Sequence, residues 1–255
     1  MRRLWITDVH ANLPAFEAVL ADARAVDDIV FLGDIVGCGP HPSGCIDLLT
    51  QLDAKAILGN HDAAVLAIRA GASRRSNPVD WDEWTFDQLS ESQLSFLARL
   101  PTELAVDFCG VNVHTIHHPS GAPYLHPAMP DPVLANHLQA VPYPVVFCGH
   151  SHRQIDRTVN GCRYVCIPPV GQPRNGDIRA GYAMEEDGTL AFHFVPYDIE
   201  RVAADIQRIE LSEEFCQRWI RFLRTGFDVE WSHEYKDEQV QNKSMQATPN
   251  GALDE

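Results

Sequence analysis

Short apolar blocks alternate with stretches of helical periodicity along the first part of the chain. Leu4–Thr7 has the length and apolarity of a buried strand. Pro14 stands where a helix can start, and the apolar positions through Leu20 and Ala25 continue it. Ile29–Leu32 and Ala54–Leu58 read as the next two strands. Between and after them Cys45–Leu52 and Asp62–Ala70 read as helices, and Gly33–Gly44 is a loop rich in Gly and Pro. Strands alternating with helices at this spacing imply β-α-β units with parallel strands. The pattern breaks around Gly71–Pro78. Trp81–Leu89 and Ser92–Leu100 then read as two amphipathic helices, so residues 71–100 are expected to form a small helical insertion beside the core.

After Pro101 strand patterns return at Leu104–Phe108, Val111–Thr115, Val145–Cys148, Ile155–Val159, Arg163–Ile167, Tyr182–Glu185 and Leu190–Val195. Asn160–Gly161 and Asp187–Gly188 are hairpin turn signals. Ile199–Ile209 and Ser212–Leu223 can form C-terminal helices. From about Ser232 the chain is polar and without period, as a disordered tail is. The predicted fold class is α/β: a two-sheet mixed β-sandwich flanked by helices, one domain over residues 1–231 and a tail over 232–255.

Composition narrows the partners. The apolar runs, such as Val145–Cys148 and Ile29–Leu32, are far too short to cross a bilayer. Met1-Arg2-Arg3 leads straight into a strand with no cleavage site after it, so a cytoplasmic location is expected. A formal net charge of −15 repels nucleic acid, leaving a short oligonucleotide substrate as the exception. The seven cysteines form no CxxC pair. Cys109, Cys148, Cys162 and Cys166 read as reduced thiols in strands. Cys38 lies in the glycine-rich loop, as a neighbour of candidate ligands more than as a ligand.

The candidate chemistry sits at the strand ends. The first strand runs into Asp8-Val9-His10, the second into Gly33-Asp34 and the third into Gly59-Asn60-His61-Asp62. Later strands run into His114 and into Gly149-His150-Ser151-His152. Open α/β sheets gather ligands at the carboxyl ends of their strands. Asp8 and His10 are two apart, as are His150 and His152, so extended backbone would turn each pair to one side. Carboxylate, imidazole and amide-oxygen donors suit Mn, Fe, Zn or Ni. Singly, each segment has a plain structural reading: a Gly-Asp turn, a satisfied histidine, or Asp62 capping the next helix. Five such segments in order at strand ends point to a metal centre.

D-x-H, G-D, G-N-H-D, a single H and G-H-x-H, in this order, resemble the motifs of the calcineurin-like metallophosphoesterases, and in particular their small bacterial and archaeal phosphodiesterase branch. The resemblance runs from Leu4 to about Tyr197 and includes Gly33–Pro40 and Gly171–Gly176. It implies two divalent cations, with Mn favoured. Asp8, His10 and His152 would hold the first, Asn60, His114 and His150 the second, and Asp34 would bridge them. His61 would stand outside the ligand shell, to protonate the leaving oxygen or stabilise the transition state. The implied activity is hydrolysis of a small or nucleotide-like phosphodiester by a metal-bridging hydroxide, the two cations standing roughly 3.5–4 Å apart. Three departures leave every ligand intact and bear on substrate: Ala11 and Thr115 replace family glycines, and Ile167-Pro168-Pro169-Val170 replaces the usual lead into Gly-Gln-Pro-Arg.

Other assignments stay open. Asp62 can orient His61 by a hydrogen bond, cap its helix, or do both. Arg174 can grip a phosphate bidentately or pair with a surface carboxylate. Tyr124 can stack on a nucleobase or aryl group, or serve packing. His117, His118 and His126 read as loop histidines that can line the substrate mouth, and His41 as a loop residue near the entrance. Trp81, Trp84 and Phe86 read as core. Two further functions compete. Phosphatases of the superfamily, including protein phosphatases, carry Gly-Asp-x-x-Asp-Arg-Gly, whereas Gly33–Gly39 reads Gly-Asp-Ile-Val-Gly-Cys-Gly; a phosphomonoesterase is the second reading. A non-catalytic metal-binding scaffold is the third.

Overall fold

The computed structural model describes residues 1–72, 81–108, 110–118, 124–138 and 143–227. Most of the break around Gly71–Pro78, Cys109 and the tail from Ser232 lie outside them. In the first half, β1 (Arg2–Ile6), β2 (Asp28–Phe31) and β3 (Lys55–Ala56) run parallel, joined by α1 (Leu13–Ala23) and α2 (Pro42–Gln51). Asn12 caps α1 by accepting the Ala15 N–H at 3.2 Å, with Pro14 in the first turn. The strand expected over Ala54–Leu58 is shorter than its apolar run, because it leaves the sheet edge after Ala56 and the Leu58 N–H turns to Pro101 O at 2.8 Å. The helices α3 (Asn60–Arg69), α4 (Trp81–Gln88) and α5 (Glu91–Leu97) follow.

The second sheet is built from β4 (Glu103–Phe108), β5 (Val111–Ile116), β6 (Val145–Cys148), β7 (Ile155–Val159) and β8 (Cys162–Cys166), in the order β4-β5-β6-β8-β7. The chain then returns to the first sheet, where β9 (Ala180–Glu186) pairs antiparallel with β1 and β10 (Thr189–Val195) closes the edge, giving β10-β9-β1-β2-β3. α6 (Asp131–Leu138), α7 (Ile199–Ile206) and α8 (Glu213–Thr225) complete the molecule. α6 was not among the predicted elements. Its signal is short, an Asp131-Pro132 start followed by apolar positions at Leu134, Ala135 and Leu138.

The period-two alternation of the strands sorts side chains between layers. Leu4 and Ile6 face the helices while Trp5 faces the other sheet; Ile29 and Phe31 do the same around Val30. Trp5, Val30, Leu32 and Ile57 thus meet Val106, Phe108, Val113, Phe147 and Val165 between the sheets. Phe147 sits at their centre, its ring 4.5 Å from Trp5 and 5.4 Å from Phe108. α1, α2, α3 and α5 cover the outer face of the first sheet, and α6 that of the second. α4 joins α7 and α8 through Trp81, whose ring lies 6.0 Å from Trp219, so Trp81 and Trp84 are core as expected. Cys148 and Cys166 are buried free thiols, and Cys162 is a partly exposed one. Among the described residues no helix is long and apolar enough to cross a membrane.

At the carboxyl edge the backbone departs from the extended form expected for Asp8/His10 and His150/His152. Asp8 (φ 52°), His10 (φ 49°), Ala11 (φ 51°), Asp34 (φ 58°), His150 (φ 64°) and His152 (φ 52°) all occupy the left-handed region. Each such non-glycine residue costs about 1–2 kcal/mol. The ladders end at Ile6 and Cys148, and loop-to-loop bonds replace them: Asp8 N–H donates to Gly33 O at 3.0 Å, His10 N–H to Asp34 O at 3.0 Å and Ala11 N–H to Ile35 O at 2.9 Å. The loops approach so closely that a Cβ on Gly149 would collide with Thr7 Oγ1 and lie 2.7 Å from Asp8 Oδ2. Gly149→Ala is therefore expected to lower the unfolding free energy of metal-free protein by about 1–3 kcal/mol. Thr7→Ala in the same chain should recover part of that loss. Urea melts of the two single variants and the double variant measure this, and an unchanged Gly149→Ala midpoint would contradict the close approach.

Candidate metal centre

Both sheets contribute to one cluster. Asp8 and His10 follow β1, Asp34 follows β2, and Asn60 opens α3 after β3; from the other sheet, His150 and His152 follow β6 and His117 follows β5. Asp8, His10, Asp34, His117 and His152 are each no more than 3% exposed. Buried charge of this density is costly unless it is paired or bound to cations.

The donors form two adjoining groups. In the first, His10 Nε2 stands 3.0 Å from His152 Nε2, and His152 Nε2 stands 3.4 Å from Asp8 Oδ1. In the second, His117 Nε2 lies 3.1 Å from Asp34 Oδ2 and 3.0 Å from Asn60 Oδ1, and His150 Nδ1 lies 2.8 Å from that same amide oxygen. Asp34 Oδ2 is also 3.7 Å from His10 Nε2, so it faces both groups. The outer nitrogens are tied down: His152 Nδ1 donates to Gln172 O at 2.6 Å and His117 Nδ1 to Leu32 O at 2.7 Å. Each tie turns Nε2 inward, the orientation in which a histidine can bind a metal once that nitrogen is free of its proton.

The donor set fits divalent metals. Asp8, His10 and His152 offer atoms within 4.8 Å of one another, and so do Asp8, Asp34 and His117. Burial, and then His152, hold the His10 imidazolium well below its usual pKa, so the facing nitrogens of His10 and His152 cannot both carry protons cheaply. Burial pushes the Asp8 carboxyl up, but His152 and His117 outweigh it and bring it down to about 2. Burial depresses His117, and Asp34 and Asp8 overcome that to raise it to about 9. Without a cation, the buried carboxylates hold a proton on His117; a divalent ion at the same place would take its position.

His114, expected as a ligand of the second metal, is not in this cluster. Its Nε2 lies 3.3 Å from Glu103, and its ring stacks on Tyr143 at 4.0 Å and 7°. β5 continues to Ile116, which leaves His114 inside the strand and puts His117 at its carboxyl end. The missed residue carried a usable signal, since it is the first histidine beyond the apolar run and not the one within it.

Of the two roles open to Asp62, the structure shows the helix cap. Its carboxylate accepts N–H groups from Gly59 and Asp34 at 3.0 Å each and from Val36 at 3.1 Å, capping α3 and fastening it to the Asp34 loop. Burial, then Asp34, push its pKa up to about 7. The partner of His61 is Asp82 of α4, with Nδ1 to Oδ1 at 2.9 Å. Burial opposes the charged His61 ring, yet Cys38, then Asp82 and Asp34, hold it well above its usual pKa. The His61 N–H donates to Asp34 Oδ1 at 2.8 Å.

Around this core, Cys38 falls within 4.8 Å of donor atoms of His10 and His61, and burial raises its thiol. Tyr124 lies flat on His150 at 4.5 Å and 7°, and the Arg174 guanidinium lies 5.1 Å from the Tyr124 ring and 5.6 Å from Phe222. Arg174 is 7% exposed, buried beside the cluster and away from the open surface. His118 rests against His150 at 4.7 Å, while His126 accepts the Ala128 N–H at 3.1 Å within its own turn. His41 Nε2 meets Asp205 at 2.8 Å, joining the α2 loop to α7.

Comparison with known proteins agrees with this geometry. Residues 1–187 match the family model for the calcineurin-like phosphoesterase superfamily domain. An uncharacterised protein of Methanocaldococcus jannaschii is 31% identical over 236 residues, spanning 84% of this chain and 95% of that one. Serine/threonine-protein phosphatase 1 of Salmonella typhimurium is 28% identical over 127 residues, 46% of this chain and 58% of the phosphatase. The crystal structure of a metallophosphoesterase from Sphaerobacter thermophilus superposes with a TM-score of 0.73 at 34% identity, covering 89% of this chain and 100% of that one. With the family domain spanning both β-α-β units and the second sheet, the chain belongs to the calcineurin-like phosphoesterase superfamily.

Proposed function

We propose that this protein hydrolyses phosphodiesters of small or nucleotide-like molecules at a centre of two divalent metal ions, manganese first among the candidates. The observation that carries the reading is the convergence of four histidines, two carboxylates and one amide oxygen from both sheets. Asp8, His10 and His152 would hold one ion, Asn60, His117 and His150 the other, with Asp34 shared. When bound, such ions supply charge neutralisation at the phosphate and a nucleophile at neutral pH.

The chain's own residues supply the proton. Cleavage makes a P–O bond to the incoming oxygen and breaks the bond to the leaving oxygen, which takes up a proton. His61 is assigned that proton on geometry, since Asp82 holds its Nδ1 at 2.9 Å and its N–H is anchored on Asp34. Asp82 is a positioning residue. Arg174, which lies over Tyr124 beside His150, is the guanidinium assigned to grip a phosphate oxygen. In the Gly33–Gly39 loop an uncharged Cys38 stands where the phosphatase motif has arginine, which favours the singly charged diester over the monoester dianion. The similarity to the Salmonella phosphatase favours the second reading, a phosphomonoesterase.

Mn-loaded protein is expected to hydrolyse bis-p-nitrophenyl phosphate in preference to p-nitrophenyl phosphate. Asp34→Asn and chelation with EDTA should each abolish the activity. A preference for the monoester would put the phosphatase reading first.

Metal analysis separates the two histidines. His117→Ala should fall from about two ions per chain to roughly one, and His114→Ala should keep both, since loss of one donor typically weakens a site severely. The reverse pattern would return the ligand role to His114.

His61→Ala should retain its metal while kcat drops about 10²–10⁴-fold. The drop should be steeper for a phenyl than for a p-nitrophenyl leaving group, because the poorer leaving group needs the proton more. Asp82→Asn should lower kcat by about 10- to 100-fold with the same leaving-group trend and little change in KM. Equal losses on both leaving groups would remove His61 from the role of acid.

A further inference from the structure

The metal donors share a wall with a cavity of about 360 Å³. It opens between the start of α3, the entry to β4 and the end of β5. Asn60 and His117 line it, and both also face Asp34 or His150 in the centre. A phosphate held at the centre therefore has its substituents within reach of this space. The remaining walls are largely apolar, from Leu58, Ala63 and Ile116. The volume is at the lower end of small-molecule sites, room for one nucleoside-sized group.

Its polar groups set the chemistry. Glu103 stands at the cavity with its side chain 60% exposed and its carboxylate 3.3 Å from His114 Nε2. His114, itself stacked on Tyr143, fixes where that carboxylate sits. Among the described residues no lysine or arginine lines the cavity. A carboxylate at the wall accepts hydroxyl or amino donors and repels a second phosphate. Orientation follows from His61, whose ring lies beside His10 at 5.1 Å and reaches toward Asp82, whereas the cavity is on the Asn60–His117 side. The leaving oxygen belongs near His61, so the cavity receives the other substituent.

We propose that this cavity is the specificity site for the retained substituent of the diester, an uncharged nucleoside-like group whose hydroxyl or amino donors face Glu103. The proposal rests on the phosphodiesterase reading and adds the substrate class to it.

The test uses two diesters with one leaving group, the p-nitrophenyl ester of thymidine 5′-monophosphate and methyl p-nitrophenyl phosphate. Mn-loaded wild-type protein should show the lower KM for the thymidine ester. Ala63→Phe, which fills the cavity from an exposed position on α3, should raise that KM by about tenfold or more and leave the methyl ester within about twofold. Glu103→Lys should weaken the thymidine preference and improve turnover of the same ester carrying a 3′-phosphate. Calorimetry with thymidine 5′-monophosphate gives a readout without turnover, and Ala63→Phe should weaken its binding by about tenfold. Equal KM values for both esters in wild type, or unchanged thymidine kinetics and binding in folded Ala63→Phe, would overturn the cavity assignment and leave the phosphodiesterase reading in place. Absence of turnover with both esters, alongside monophosphate binding that Ala63→Phe weakens, would overturn the phosphodiesterase reading and keep the cavity as a nucleotide site.

Discussion

The Asp34 residue is the point on which the centre depends. Its backbone N–H is held by Asp62, and its carbonyl accepts the His10 N–H. Of its carboxylate oxygens, one accepts the His61 N–H and the other faces His117 and His10. One side chain therefore sets the positions of both donor groups and of the proposed acid. Space for it exists because Gly59 has no Cβ, which would otherwise collide with the Asp34 nitrogen and carboxylate.

This arrangement concentrates unfavourable terms in one place. Asp8, Asp34 and Asp62 are buried together, each at most 1% exposed, and several of their neighbours hold left-handed backbone. Buried charges cost several kcal/mol each, and backbone strain adds to that. The offsetting stabilisation comes from elsewhere in the fold, chiefly the aromatic and aliphatic layer between the sheets. Cations at the centre would relieve the repulsion among the carboxylates and satisfy the inward lone pairs together. Folding stability and metal affinity are then linked quantities, since a group that binds only the native state stabilises it.

The sequence made the strand order and most of the donors legible because both depend on local pattern. Apolar blocks end where polar donors begin, and that boundary is visible at Asp8, Asp34, Asn60 and His150 without tertiary information. The assignment failed where a boundary had to be placed within a few residues. Val111–Ile116 alternates in a way that admits an end at Thr115 or beyond, and the difference exchanges His114 for His117. The Asp82 partner was invisible for another reason: it is 21 residues from His61 and is brought there only by the packing of α4 against α3. The left-handed turns at Asp8, His10, His150 and His152 were hidden because nothing local demands them; they follow from bonds between loops of different strands. α6 was masked by the proline and histidine residues before it, which read as loop.

The division of donors between the sheets gives the inter-sheet core a part in the chemistry. Asp8, His10, Asp34 and Asn60 ride on the first sheet, while His117, His150 and His152 ride on the second. The separation of the two donor sets is fixed by what lies between the sheets, and there the Phe147 ring packs, tilted by 57° to each, against Trp5 and Phe108. Phe147 is also only two residues from Gly149, which abuts Thr7 and Asp8 across the gap. Interiors at this packing density transmit strain and do not absorb it. A change of ring size at Phe147 is therefore expected to bear on the His150 loop, whose N–H donates to Asp8 Oδ2 at 3.0 Å. The core thus bears on the metal centre by setting a distance, and touches it directly at Leu32, whose carbonyl accepts from His117 Nδ1 at 2.7 Å.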